Sequence, residues 1–143
     1  MTEKMKTLCL MRHAEAEKGG DDHARPLTAH GISQARKAAQ WLQEQGIRPD
    51  FIISSDAVRT RQTADIIGPN PQLTRDLYLA EAQTIFDLIP QDFETVLIMA
   101  HNPGIYELAL RLAGKNGEEL LGMPTATIAV FSQEKLVKVF IAD

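Results

Sequence analysis

Leu8-Cys9-Leu10-Met11-Arg12-His13-Ala14-Glu15-Ala16 is the stretch on which the fold turns. A short apolar run stops abruptly at an arginine and a histidine. Runs of this length and character are typical of a buried strand, and parallel strands read as continuous hydrophobic stretches. Arg12 and His13 then sit at the carboxyl end of that strand, the edge where open α/β sheets build ligand sites. A second stretch repeats the pattern, with Val96-Leu97-Ile98-Met99-Ala100 running into His101-Asn102-Pro103-Gly104. Two buried strands therefore each deliver a histidine to what could be one edge.

Working outward, Thr7 to Met11 reads as the first strand and Glu17 to Arg25, with Gly19-Gly20-Asp21-Asp22, as a solvated surface loop whose place near the site would also let it gate substrate. Thr28 is a candidate N-cap for a helix whose apolar face holds Ile32, Ala35, Ala39 and Leu42, with Gly46 at its end. Phe51-Ile52-Ile53 is the second strand. Ser54, Ser55 and Asp56 offer N-caps for a helix to about Ile67, stopped by Gly68-Pro69. Leu73 and Leu77-Tyr78 suggest a short strand, and Ala80 to Leu88 a helix. After Val96 to Ala100 comes a helix with Ile105, Leu108 and Leu112 on one face, ended by Gly114. Ala126 to Phe131 and Leu136 to Ile141 read as a hairpin joined to the sheet. This alternation implies one α/β domain over residues 1–143, with a mainly parallel central sheet, helices on both faces and an antiparallel C-terminal hairpin.

Composition bounds the function. A chain of 143 residues, 44% hydrophobic and 24% charged, is long enough to bury roughly 68–70% of the surface its unfolded form exposes. The formal net charge of −4 argues against nucleic acid, whose binders carry a basic face. It does not argue against a small phosphorylated ligand, because a local arginine cluster focuses positive potential within an acidic protein. The single cysteine, Cys9, excludes an intrachain disulfide. Lys4 and Lys6 precede an apolar run too short for a signal sequence, and no segment approaches the roughly 20 apolar residues of a membrane span. The expectation is a soluble, cytoplasmic protein with no membrane partner.

Three arginines stand at element starts or in loops: Arg12, Arg25 before Pro26-Leu27-Thr28, and Arg59 near the start of its helix. Guanidinium groups match phosphate oxygens bidentately and do not deprotonate, which suits an anion clamp. Helix amino-terminal turns add oriented N–H groups at the same edge. A neutral imidazole among them is a nucleophile toward phosphorus, its ordinary pKa of about 6.5 leaving much of it unprotonated at neutral pH. Phosphoryl transfer rests largely on positioning and on neutralising the equatorial oxygens.

Arg12-His13 at a strand end, Ser54-Ser55 followed by Arg59 and Gln62-Thr63-Ala64, and a late His101 together resemble the histidine phosphatase (phosphoglycerate-mutase-like) superfamily. The short length, Arg25-Pro26-Leu27-Thr28 and His101-Asn102-Pro103-Gly104 look like its SixA-type phosphohistidine phosphatase branch. The resemblance covers essentially the whole chain. It implies a phosphatase in which His13 is the nucleophile and forms a phosphohistidine that water hydrolyses. Arg12, Arg59 and His101 would bind the phosphoryl group, with Arg25 as an additional phosphate contact. It implies no metal and no cofactor, and a substrate that is a phosphohistidine protein or a small phosphate ester. Two departures stand out: Ala14 and Ala100 replace the glycines the family often has beside its histidines, so those backbones must lie in ordinary regions. Glu81, Glu15 or no residue at all could be the proton donor, since imidazole as a leaving group is protonated on its other nitrogen and needs little help.

Other readings are open at this stage. A binding module without turnover, or a partner protein using an outer surface, would have no need of a nucleophile within the arginine set. A metal site from the four histidines lacks ligand spacing such as H-x-x-x-H. A Cys9 nucleophile would need an arginine six residues on, where the chain has Glu15. His23 and His30 have no partner motif and are expected to face solvent. The oligomeric state is not legible in the sequence.

Overall fold

Strand β1, Thr7–Arg12, takes the middle of the sheet because its central residues Leu8 to Met11 are apolar toward both faces and all four are buried. The computed structural model describes residues 5–143, and Lys4 lies outside them. The other strands are β2 (Phe51–Ser55), β3 (Gln72–Thr74), β4 (Thr95–Ala100), β5 (Ile128–Ser132) and β6 (Lys135–Phe140). They form one six-stranded sheet in the order β3-β2-β4-β1-β5-β6. Pairs β1–β4, β2–β4 and β2–β3 are parallel, whereas β5 runs antiparallel to both β1 and β6. The mainly parallel α/β sheet and the antiparallel hairpin expected from the sequence are both present.

Alternation along the central strands sorts the core into two layers. Leu8, Leu10, Val96, Ile98 and Phe131 pack with α3 (Ala82–Asp87) and α4 (Gly104–Ala113). Cys9, Met11, Leu97, Met99 and Val130 face the other way, onto α1 (Ala29–Glu44) and α2 (Val58–Ile67). Among the described residues, no helix is long and apolar enough to cross a membrane.

Local chemistry sets most boundaries. Thr28 caps α1, its hydroxyl accepting from the Gly31 amide at 2.8 Å. At the other end Gly46 takes φ +71°, and the amides of Gly46 and Ile47 donate to the carbonyls of Gln43 and Leu42, a Schellman closure. The buried face of α1 differs from the apolar count. Gln34 and Ala38 are buried with Ala35 and Leu42, while Ile32 and Ala39 lie half-exposed. Gln34 is drawn in by polar partners, accepting from the Glu15 amide at 2.8 Å.

The expected caps at Ser54, Ser55 and Asp56 are not formed. The strand continues through Ser55, and α2 starts at Val58 without a side-chain cap. These three side chains have other partners, and two of them belong to the site below. Leu77-Tyr78 forms no strand; β3 stops at Thr74 and a 3₁₀ turn covers Arg75–Leu77. The hairpin turn places Gln133 and Glu134 at φ 51° and 65°, the left-handed pair that a type I′ turn uses.

Pairing of β1 with β4 puts Arg12 opposite Ala100, so the residues after each strand, His13 and His101, leave the sheet side by side. The start of α4 is held against the same edge by close backbone approach. A Cβ on Gly104 would lie 1.9 Å from the Ala80 carbonyl oxygen. Gly104→Ala must move one backbone segment away from another, and we expect a loss of about 1–3 kcal/mol in stability. Urea denaturation measures it; a change below about 0.5 kcal/mol would mean that the approach is not tight.

Candidate active site

His13 is fixed by backbone on three sides. Its amide donates to the Ala100 carbonyl (3.3 Å), its carbonyl accepts from the Ala126 amide (2.9 Å), and ring Nδ1 lies 2.7 Å from the Ala14 carbonyl oxygen. A carbonyl can only accept, so Nδ1 carries the proton and Nε2 of the neutral ring presents its lone pair. The Ala14 peptide is held in turn, its amide donating to Thr63 Oγ1 at 3.1 Å while that hydroxyl donates to the Arg59 carbonyl at 2.7 Å. The Gln62-Thr63 pair thus anchors the loop after β1 to α2: Gln62 Oε1 accepts from the Leu27 amide at 2.8 Å. Neither Ala14 nor Ala100 has positive φ, so alanine is tolerated at both departures.

Arg59, the second residue of α2, is only 2% exposed and spreads its guanidinium across the site. Nε lies 3.4 Å from His13 Nε2, and Nη2 lies 3.3 Å from His101 Nδ1. Since Arg59 can only donate, His101 Nδ1 accepts, and Nε2–H donates to Ser55 Oγ at 2.8 Å. The two imidazoles stand 5.3 Å apart, centroid to centroid. Burial, joined by the charges of Arg12 and Arg59, pushes the His13 pKa down to about 3. Burial first, and then His13 and Arg59, do the same to His101. Both rings are therefore neutral at pH 7.

Arg12 ends β1 half-buried. Nη1 donates to the Met123 carbonyl (3.3 Å), while Nε is buried without a partner among the described residues. Asn102 Nδ2 donates to the same carbonyl at 3.0 Å, tying the turn after β4 to this segment. A guanidinium with an open N–H beside a neutral imidazole is what an incoming oxyanion needs.

The Glu17–Arg25 segment departs from the expected solvated loop. After exposed residues 17–21 it turns back through a 3₁₀ helix, Asp22–Ala24, onto the site. Asp22 Oδ2 accepts from Arg59 Nη2 (3.1 Å) and from the Tyr78 hydroxyl, and Oδ1 accepts from Arg25 Nε and Nη2 (3.1 and 2.9 Å). The Asp22 carbonyl also accepts from Arg59 Nη1 at 2.7 Å. His23 pairs with Asp56 at 2.7 Å and meets Tyr78 edge-on, so it does not face solvent as expected, whereas His30 is exposed as expected and lies 2.6 Å from Asp143.

With this geometry in view, comparison with known proteins is informative. The model of the histidine phosphatase superfamily (branch 1) matches residues 8–84. The chain belongs to this superfamily. A crystal structure of a proposed phosphohistidine phosphatase SixA from Agrobacterium tumefaciens superimposes with a TM-score of 0.86 at 27% identity, covering 96% of this chain and 98% of that one. The phosphohistidine phosphatase SixA of Escherichia coli is 29% identical over 116 residues, 72% of this chain and 71% of that protein. An uncharacterized chloroplast protein of Arabidopsis thaliana is 34% identical over 128 residues; the match spans 75% of this chain and 59% of that relative's length.

In this member of the superfamily, the folded chain gathers Arg12, His13, Arg59 and His101 at one sheet edge, with Arg25 reaching them through Asp22. Glu15 Oε2 accepts from the Thr28 hydroxyl at 2.7 Å, and Glu81 is exposed at the start of α3. Cys9 is fully buried and its thiol is pushed up to about 12, which removes it as a nucleophile. Among the described residues, no group of three or more His, Cys, Asp or Glu side chains is arranged to hold a metal ion. Asp22 and Tyr78 were not legible as site residues, for they lie in turns without periodicity, and Ser55 and Thr63 stood in the quoted motifs with no role of their own. A concavity of about 750 Å³ beside the C-terminal ends of α1 and α2, lined by Ile47, Arg48, Ile66 and Pro69 among others, contains none of these residues.

Neutral buried imidazoles have a pH signature. Their folded-state pKa values lie below the ordinary 6.5, so the stability they contribute is whole above about pH 6.5 and is lost as pH falls from there toward about 3. Imidazole ¹⁵N NMR at pH 5 should find both rings uncharged, His13 with its proton on Nδ1. Protonation of either ring near pH 6.5 would contradict a desolvated site.

Proposed function

We propose that the protein is a metal-independent phosphatase working through a covalent phosphohistidine on His13, and that its substrate is a protein phosphohistidine. The observation that carries this reading is the His13 tautomer. The Ala14 carbonyl holds the proton on Nδ1, and Nε2 is neutral and aimed beside the Arg59 guanidinium. A module that merely bound phosphate would be better served by a charged imidazolium than by a ring kept neutral through burial.

The chemistry proceeds in two displacements. His13 Nε2 attacks phosphorus as the bond from phosphorus to the leaving atom breaks, and the electron pair departs with the leaving group. Arg12, Arg59 and Arg25 neutralise the equatorial oxygens, and His101, donating to Ser55 and accepting from Arg59, lines the same edge. The long 3.4 Å contact between Arg59 Nε and His13 Nε2 is readily exchanged for a phosphoryl oxygen, which frees the lone pair. Water then attacks the phosphohistidine, releasing inorganic phosphate and returning the neutral ring.

Substrate class follows from the leaving group. Of the carboxylates described, Glu15 is engaged by Thr28 and Asp22 is held ionised by Tyr78, Arg25 and Arg59, so neither is ready to protonate an alkoxide, which leaves the exposed Glu81. Imidazole departs without an enzymic acid when its other nitrogen carries a proton. The names of the SixA relatives support the same choice, with a small phosphate ester as the alternative substrate.

Acid-quench labelling with a ³²P-phosphoryl donor tests this. Wild type should show an acid-labile, base-stable label on His13 and chelator-resistant turnover, with phosphohistidine preferred over an aryl phosphate. His13→Ala should lose both label and turnover, and Arg59→Ala should lose about 10³-fold or more in rate. Phosphate binding without label or turnover would sink the enzyme in favour of the binding module, and a preference for the aryl phosphate would favour the ester.

A further inference from the structure

One charged group in the site has no part in the two displacements above. Asp22 is the carboxylate nearest the guanidinium array: it ion-pairs with both Arg25 and Arg59 and accepts from the Tyr78 hydroxyl. Through Arg59 it is a single guanidinium away from His13 Nε2 and His101 Nδ1. Its side chain is 46% exposed, so one side of the carboxylate faces outward. The Tyr78 hydrogen bond, followed by those from Arg25 and Arg59, holds the carboxyl well below its usual range, so it is a fixed negative charge and no proton donor. A cation clamp built for phosphate has no need of a carboxylate inside it, since an anion there competes with the phosphoryl group for the same donors.

We propose that Asp22 is a specificity-determining residue that selects phosphoramidates with a cationic leaving group, phosphohistidine above all, against phosphate esters. This rests on the phosphatase reading above and adds the means of its substrate choice. As the phosphoryl oxygens take over donors of Arg25 and Arg59, the freed carboxylate lone pairs accept from the protonated distal nitrogen of the substrate imidazole. That contact raises the fraction of substrate carrying the proton. When the P–N bond breaks, its electron pair returns to the ring nitrogen, and the imidazole leaves neutral, keeping the proton on its distal nitrogen. An ester has no such proton, and the negative charge growing on its leaving oxygen is repelled by Asp22. One fixed charge thus accelerates one class and slows the other. Tyr78 is the positioning residue, its hydroxyl donating to Asp22 and its ring lying edge-on to His101 at 5.5 Å.

The test is a ratio. For Asp22→Asn, kcat/KM should fall about tenfold on phosphohistidine and rise about tenfold on an aryl phosphate, and inorganic phosphate should inhibit more strongly. Asp22→Glu, which keeps the charge, should retain the wild-type preference. Were both substrates to gain together, Asp22 would be only a plug; were both to fall together with the ratio unchanged, it would be only a brace for the arginines. Either result overturns the inference. If Asp22→Asn fails to fold, Tyr78→Phe reads the same ratio, and an unchanged ratio there overturns the inference as well. A wild type inactive on both substrates would instead overturn the phosphatase reading, and this inference with it.

Discussion

A guanidinium that is almost entirely removed from water organises this edge of the protein. Arg59 carries a full charge at 2% exposure, and every donor it turns inward is taken up by a named partner: His13, His101, and the carboxylate and carbonyl of Asp22. A buried charge left without partners is strongly destabilising, by about 3–5 kcal/mol when a partner is removed. The fold must therefore bring both histidines and the Asp22 loop to the start of α2, or leave that charge uncompensated. The same charge keeps the imidazoles neutral, adding its repulsion to the effect of burial.

Around this point the sheet supplies rigidity. Parallel pairing of β1 with β4 in register delivers His13 and His101 at equal height, and Ser55 at the end of β2 receives the His101 Nε2–H. Strand ends are precise platforms because their backbones are held by ladders on both sides. The mobile chemistry is left to side chains that can exchange partners: Arg12 with an open Nε, Arg59 with a long contact to His13, and Arg25 resting on Asp22. The frame is fixed and the clamp is adjustable, a division that suits a reaction in which donors must move from internal acceptors to a phosphoryl group.

The loop between β1 and α1 joins these two parts. Its first half is exposed, and its second half returns to place Asp22 and Arg25 among the arginines, with His23 fastened to Asp56 and packed on Tyr78. Pairing of Ala16 with Leu27 closes the base of the excursion. Gln62 binding the Leu27 amide ties that base to α2.

Much of the fold was legible because its determinants are local. Apolar runs of four and five residues mark β1 and β4, the Thr28 cap and the Gly46 closure bound α1, and the residues that end each run sit at the sheet edge by construction. Arg12, His13 and His101 follow from that logic, and Arg59 from its place at a helix start. What the sequence could not specify is which polar side chains meet. Asp22 reaches Arg59 and Tyr78 across 37 and 56 residues of chain, and Ser55 reaches His101 across 46. Ser54, Ser55 and Asp56 look like helix caps by local propensity, yet tertiary partners claim Ser55 and Asp56. Local pattern determined by itself the central strands β1 and β4 and the two histidines that end them. The tertiary structure alone decided that a carboxylate stands inside the cation clamp, because the path of an aperiodic loop depends on the buried charge it must neutralise.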